Sequence, residues 1–177
     1  MLERDAVAPE IAAMYDALLK QRGVVPNMFK TIAQIPAMAQ GFAAFLKPIV
    51  GDGALPGWYK ELIATRMSVL NKSTYAISAH SLSAKQKGAS DAQIDAAKSD
   101  FESGPFTDAE KLGFRFAERV HRSGGDVDDQ MFRELKAVYS DQQLIELTAA
   151  AAAFEFFPRF VDALRIPTTP IPASAIK

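Results

Sequence analysis

The 177-residue sequence contains no cysteine. Disulfide bonds, thiolate metal sites and the thiol-based reduction of peroxides are therefore excluded. Histidine is nearly as scarce, because only His80 and His121 occur, and a histidine-rich metal site is not expected. We accordingly expect neither a bound metal nor a cofactor.

The sequence also lacks a strong excess of charge and a long apolar run. With a net charge of −1 and a pI of about 6.1, it has no basic surface that would favour nucleic acid as a partner. The most apolar run, residues 147–157, has about 11 residues and includes Glu155, which is too short to cross a membrane. The amino-terminal residues carry acidic side chains and no apolar signal segment. We therefore expect a cytoplasmic protein with no membrane partner.

Helix boundary signals are present along most of the chain. Four prolines stand at the start of helical segments, where a first-turn proline is tolerated: Pro9, Pro26, Pro36 and Pro56. Three capping boxes pair a hydroxyl residue with Gln or Glu three positions later: Ser90 with Gln93, Thr107 with Glu110, and Ser140 with Gln143. No segment alternates apolar and polar residues as a half-buried strand does. These signals predict an all-α fold of about eight helices in a single domain, residues 1–177, with an irregular tail from residue 166 to residue 177.

The predicted helix over residues 141–164 is apolar around almost its whole circumference. Such a helix is buried on all sides, either in the core of a monomer or partly at a subunit interface. We expect Pro158 to kink or end it. The proline-rich tail that follows is expected to be draped on a neighbouring subunit or loose.

Glu61 and His80 are the strongest candidates for chemistry in the sequence. If residues 56–70 and 74–87 form an antiparallel helical hairpin, Glu61 lies roughly 16 Å and His80 roughly 13 Å from the turn. The two side chains then reach nearly the same level and can form a hydrogen bond. A glutamate in that position fixes the tautomer of the imidazole and makes an acid–base pair. The alternative is that His80 is a structural histidine with a satisfied partner.

The spacing of this segment resembles that of a known family. The pattern Glu-x11-Cys-x2-Cys-x3-His is the signature of the alkylhydroperoxidase AhpD-like branch of the carboxymuconolactone decarboxylase family. Here it becomes Glu61-x11-Ser73-x2-Ala76-x3-His80. The flanking segments ELIATRMSVLN and SAHSLSAKQKGAS resemble the family as well, and so do the distant segments GVVPNMF and SDQQLIELTAAAAAFEFFPRFVDALRIP. The sequence is identified as a member that lacks both redox cysteines.

The resemblance implies an AhpD-like helical bundle with a central helical hairpin, assembled as a homotrimer or homohexamer. In redox-active members, the second cysteine attacks a hydroperoxide and the first resolves the product, while the glutamate and histidine relay protons. Ala76 stands here at the attacking position and Ser73 at the resolving one. Neither side chain can pass through a sulfenate–disulfide cycle, so peroxidase activity by the family mechanism is not expected.

Several residues near the hairpin have both a functional and a structural interpretation. Ser73 is seven residues from His80, about 10 Å along a helix axis, so it is better explained as a helix N-cap than as a nucleophile. Ala76 leaves space beside the imidazole, either as a small substrate cavity or as packed core. Tyr75 and Trp58 can line such a cavity, although core packing explains both. His121 is interpreted as structural, close to a helix C-terminus.

Three functions are compatible with these observations. The first is an enzyme without redox chemistry, of the decarboxylase, lyase or isomerase type, in which Glu61 and His80 transfer protons on a small organic acid or lactone. The second is a non-catalytic binding or structural oligomer. The third is a peroxidase-related antioxidant role, which would require a mechanism without cysteine. The substrate-binding candidates for the first function are Ser73, Tyr75, Ala76 and Trp58.

Overall fold

The structure is a computed structural model that describes residues 1–172. This part of the chain is all-helical and contains no strand, with nine α-helices where about eight were predicted. The helices are α1 (Pro9–Arg22), α2 (Asn27–Ile32), α3 (Pro36–Val50), α4 (Gly57–Leu70), α5 (Thr74–Gln86), α6 (Asp91–Lys98), α7 (Asp108–Arg122), α8 (Asp129–Val138) and α9 (Asp141–Ala163). Two short 3-10 helices, Arg4–Ala6 and Gly124–Asp126, complete the secondary structure.

The sequence signals place most helix starts correctly. All three predicted capping boxes are formed, at the starts of α6, α7 and α9. Pro9 and Pro36 occupy the first turns of α1 and α3. Pro26 and Pro56 instead stand one position earlier, as the N-cap residues of α2 and α4. Proline suits that position too, because its fixed φ is compatible with the extended backbone before a helix.

The hairpin of α4 and α5 forms the centre of the bundle. Helix α4 packs against α5, α6, α7 and α9, and ten of its residues are buried. The turn between the two helices passes through Lys72, whose φ is +58°, and the N–H of Ser73 donates to the carbonyl of Ser68. Because α4 is enclosed on most of its surface, any side chain that it presents to α5 is withdrawn from water.

Helix α9 has nearly the predicted bounds but is less enclosed than the sequence indicates. It continues through Pro158 to Ala163, so the proline does not end it. One face is buried in the core, but Ile145 and Phe156 on the opposite face are 68% and 49% exposed. Of the two predicted ways to cover this helix, complete burial in the core of the single chain is therefore wrong, and burial at a subunit interface stays a prediction. None of the described helices is long and apolar enough to cross a membrane.

The beginning of the C-terminal tail packs on its own chain. Residues 166–172 have no regular secondary structure. The side-chain amide of Asn27 donates to the carbonyl of Pro167 at 3.0 Å, and the N–H of Asn27 donates to Oγ1 of Thr169 at 2.9 Å. The expectation that the tail is loose or draped on a neighbour is therefore wrong for this stretch. The rest of the predicted tail, residues 173–177, lies outside the described residues.

Candidate active site

Glu61 on α4 and His80 on α5 form a hydrogen-bonded pair. Nδ1 of His80 lies 2.7 Å from Oε2 of Glu61. The side chain of Glu61 is 1% exposed and that of His80 is 13% exposed. The prediction that the hairpin brings these two groups to one level is confirmed. It follows from helix geometry alone, since the two residues lie at similar distances from the turn.

A cation that the sequence analysis missed completes the pair. Nζ of Lys87 lies 2.6 Å from the other carboxylate oxygen of Glu61 and also donates to the carbonyl of Val50. Lys87 follows His80 by seven residues, which is two helical turns. The spacing therefore places both side chains on one side of the chain segment, and this signal could have identified Lys87.

These neighbours hold Glu61 in its ionised form. Complete burial raises the pKa of a carboxyl group, but the hydrogen bond and charge of His80 oppose that effect, as do the charges of Lys87 and Arg22. Their combined effect places the pKa of Glu61 below its ordinary value. The carboxylate can then only accept hydrogen bonds, so Nδ1 of His80 must carry a proton and donate it.

His80 is thereby fixed in one tautomer, with an unprotonated Nε2 when the ring is neutral. Within residues 1–172, Nε2 has no hydrogen-bond partner. The ring of Phe154 packs edge-on against the imidazole, with centroids 4.3 Å apart, and so holds the ring plane. An imidazole oriented in this way can accept a proton at Nε2 and return it.

His80 borders a largely apolar pocket of about 430 Å³, a volume that includes its open mouth. Besides His80, the lining residues are Arg22, Pro26, Met28, Phe29, Leu46, Tyr75, Ala76, Ala79, Phe154, Phe157 and Val161. Ala76 stands one turn before His80 and leaves space where a larger side chain would fill the pocket. Ala76 is itself buried and lines the pocket, and its part in binding a substrate stays a prediction.

Tyr75 lines the same pocket, but its hydroxyl group is already occupied. It accepts a hydrogen bond from the N–H of Met28 at 2.9 Å and lies 3.3 Å from Oγ1 of Thr169. Burial raises the pKa of Tyr75, which keeps the phenol protonated. The ring therefore forms a wall, and the hydroxyl ties α5 to α2 and to the tail.

Ser73 and Trp58 are not brought to the pocket. Ser73 is fully buried and caps α5, with its Oγ accepting from the N–H of Ala76 and donating to Oδ1 of Asp162 at 3.0 Å. The prediction that Ser73 is an N-cap is confirmed. Trp58, in the first turn of α4, packs edge-on against Tyr59, with ring centroids 5.8 Å apart.

Arg22 is a second pocket residue that the sequence analysis missed. It ends α1, 39 positions before Glu61, and no short-range pattern connects the two. Only the packing of α1 beside α5 brings its side chain to the pocket. Among the described residues, no group of three or more metal-ligating side chains occurs.

Comparison with known proteins agrees with this architecture. Residues 36–119 match the sequence model of the carboxymuconolactone decarboxylase family. That segment runs from α3 into α7 and includes both helices of the hairpin. No curated protein matches the chain.

Solved structures share the fold over nearly the whole chain. The debrominase Bmp8 is 25% identical, with a TM-score of 0.84 over 99% of this chain and 94% of that chain. A Bmp8 variant with alanine in place of a cysteine was solved in complex with 2,3,4-tribromopyrrole. It is 24% identical, with a TM-score of 0.84 over 99% of this chain and 92% of that chain. A peroxidase-related protein with an AhpD core from Ralstonia eutropha JMP134 is 21% identical, with a TM-score of 0.86 over 94% of this chain and 89% of that chain.

Proposed function

Because residues 36–119 match the model of the carboxymuconolactone decarboxylase family and the chain contains no cysteine, we propose that it is a member of that family and an enzyme without redox chemistry. His80 transfers a proton to or from a small organic acid or lactone bound in the pocket. Glu61 is the positioning residue that fixes the tautomer of His80. The reaction is of the decarboxylase, lyase or isomerase type.

The observation that carries this proposal is the orientation of His80. Its Nδ1 donates to the buried carboxylate of Glu61, which also forms an ion pair with Lys87, and its ring borders the pocket. Nε2 is thus the group that a substrate meets. A histidine with only a structural role would not need an open pocket beside the ring.

The chemistry requires no electron acceptor. In an isomerisation, Nε2 takes a proton from a carbon next to a carbonyl group, and the electron pair of the C–H bond moves into the enolate. The imidazolium then returns the proton to another carbon. In a decarboxylation, the bond to the carboxylate breaks, carbon dioxide leaves, and the imidazolium protonates the carbon that retains the electron pair. Both sequences need one acid–base group with a fixed tautomer.

The pocket supports a substrate with a small apolar body. Its walls are formed mainly by aromatic and aliphatic side chains, and only His80 and Arg22 supply polar groups besides the occupied hydroxyl of Tyr75. The complex of the related debrominase with a small aromatic heterocycle supports a ligand of similar size. A thiol peroxidase mechanism is incompatible with a chain that lacks cysteine, so the peroxidase-related role would need different chemistry.

Solvent proton exchange tests the proposal across a range of candidate substrates. The protein is incubated in D2O with a panel of small lactones and unsaturated carboxylic acids, and exchange or loss of carbon-bound protons is followed by NMR. We expect at least one compound to react. Removal of general acid–base catalysis by His80→Gln should then lower its rate by about 10²- to 10⁴-fold.

His121→Gln is the matched control, because His121 is the other histidine of the chain and does not line the pocket. It should leave the rate unchanged within about twofold, because it removes no group that contacts the substrate. A reaction that persists unchanged in His80→Gln, or a complete lack of reaction across the panel, would refute the proposal.

The exposed face of α9 supports a second candidate, a non-catalytic binding or structural oligomer. Ile145, Ala152 and Phe156 form an exposed apolar stripe on this helix. Phe156 also stacks on Phe160, with ring centroids 5.6 Å apart. Association as a homotrimer or homohexamer through this face would cover the stripe. A monomeric mass in light scattering at micromolar concentration would refute the assembly, and a trimer in wild type that dissociates in Phe156→Glu would support it.

A further inference from the structure

Arg22 lies where a ligand in the pocket would meet it. It is the last residue of α1, and the chain turns away directly after it at Gly23, with φ of +72°. Its guanidinium Nη2 donates to Oγ of Ser83 on α5, and its backbone carbonyl accepts from Nε2 of Gln86 at 3.0 Å. Both contacts hold the end of α1 against α5, where Arg22 lines the pocket.

The guanidinium has no carboxylate partner within residues 1–172. Two other arginines are similarly half-buried, and each has one: Arg66 pairs with Glu118, and Arg119 pairs with Asp128. Arg22 instead has a neutral hydroxyl group as its partner. The charge of Arg22 helps to lower the pKa of Glu61, but among the described residues no hydrogen bond or ion pair joins the two side chains. Partial burial of a charge is unfavourable when no opposite charge contacts it, and a bound anion would supply that contact.

The charges around the pocket do not balance. None of its lining residues is acidic. Glu61 lies behind His80 and already forms an ion pair with Lys87. Arg22 therefore gives the wall of a mostly apolar pocket a net positive charge, which a bound anion would neutralise.

We propose that Arg22 binds a carboxylate group of the ligand, and that the natural ligand is a small carboxylic acid with an apolar body. The inference rests on the proposed function and narrows its substrate class, because it selects the acid over an uncharged lactone. Ser83, which contacts Arg22, follows His80 by three residues, a rise of about 4.5 Å. A carboxylate on Arg22 therefore places its neighbouring carbon atoms near the His80 imidazole.

Arg22 also borders a second cavity. This cavity of about 330 Å³, also counted with its mouth, is bordered by Thr168, Thr169 and Ile171 of the tail and shares Arg22 and Tyr75 with the main pocket. Arg22 thus stands between the two spaces. A planar guanidinium in this position can pair with a carboxylate through two N–H groups while the apolar body of the ligand fills the main pocket beside His80.

Binding of two matched probes tests the inference. Benzoate and benzamide have nearly the same shape, and only benzoate carries a negative charge. By calorimetry in low-salt buffer, wild type should bind benzoate about ten- to a hundredfold more tightly than benzamide, as expected for a charge-assisted hydrogen bond. Arg22→Gln should abolish this preference and Arg22→Lys should retain part of it. Arg119→Gln is the matched control, outside the pocket and also near a helix C-terminus, and should bind as wild type does.

The outcomes separate this inference from the proposed function. Three results would overturn the role of Arg22, whatever the catalytic result. Wild type could bind benzoate and benzamide equally, it could bind neither, or the preference for benzoate could persist in Arg22→Gln. The opposite combination is also informative. If wild type prefers benzoate through Arg22 but the His80→Gln variant reacts as wild type does, the carboxylate site is supported and the acid–base function of His80 is refuted.

Discussion

The protein contains two glutamate–histidine pairs with almost the same local contacts. In the first, Nδ1 of His80 lies 2.7 Å from Glu61, and Lys87 holds the second carboxylate oxygen. In the second, Nδ1 of His121 lies 2.6 Å from Glu155, and Arg159 holds the second oxygen. Each pair joins two helices, α4 with α5 and α7 with α9.

The surroundings of the two pairs differ. The side chains of Glu155 and His121 are 18% and 25% exposed, whereas Glu61 is almost completely buried. His80 borders a pocket with an unpaired arginine, and His121 lines neither of the two cavities described above. A hydrogen-bonded glutamate–histidine pair is therefore not by itself a site. Burial of the carboxylate and space beside the imidazole make the difference.

The largest expected contrast between the pairs is in stability. Glu61→Ala leaves Lys87 and His80 without their buried partner and should lower the free energy of unfolding by about 3–5 kcal/mol. Glu155→Ala removes a pair that water still reaches, and the loss should be about 1 kcal/mol. Urea denaturation of both variants measures the two values, and equal losses would contradict the contrast.

The stabilising contribution of Glu61 should also depend on pH. The folded state lowers the pKa of Glu61 below its ordinary value of 4.5. Its contribution is therefore fully present above that value and is lost as the pH falls through the lowered pKa. The difference in free energy of unfolding between wild type and Glu61→Gln should shrink as the pH falls from about 7 to about 3. Other acidic groups titrate in both proteins and cancel in this difference, so a constant difference would contradict the prediction.

Filling the pocket should affect ligand binding more than stability. Ala76→Leu places a larger side chain beside His80 and should abolish the binding of benzoate. The free energy of unfolding should fall by no more than about 1–3 kcal/mol. Ala137→Leu, at an exposed position of α8, is the control and should bind as wild type does. Unimpaired binding by a folded Ala76→Leu protein would show that the ligand lies elsewhere.

The smallest expected effect is spectroscopic. Because the chain has only two histidines, a long-range ¹H–¹⁵N spectrum contains only two imidazoles. Both neutral rings should show the tautomer protonated at Nδ1, since each donates to a glutamate. Addition of benzoate should shift the signals of His80 and leave those of His121 in place. Shifts of both rings, or of His121 alone, would contradict the assignment of the pocket to His80.

The Glu61–His80 pair could be predicted because it depends on short-range geometry. The two residues lie on successive helices at similar distances from one turn, and helix rise alone then brings them together. The cap at Ser73 was predictable for the same reason. The contact of Lys87 with Glu61 could have been predicted in the same way, since Lys87 follows His80 by two helical turns.

The remaining parts of the site depend on the packing of distant segments. Arg22 reaches the pocket only because α1 lies beside α5, and Thr169 contacts Tyr75 only because the tail folds back over α2. The exposed stripe on α9 was also unpredictable, because an apolar pattern cannot show which face of a helix is covered by the same chain.

Local sequence was sufficient for the helical class, most helix starts, the absence of thiol chemistry and the meeting of Glu61 with His80. Each of these is set by neighbours within one or two helices, or by composition. Three-dimensional packing was needed to open an apolar pocket beside His80, to place Arg22 at its wall without a carboxylate partner, and to leave His121 with no such space. The physical reason is that cavities and charge balance depend on every segment that packs around a point, and these segments are far apart in the chain.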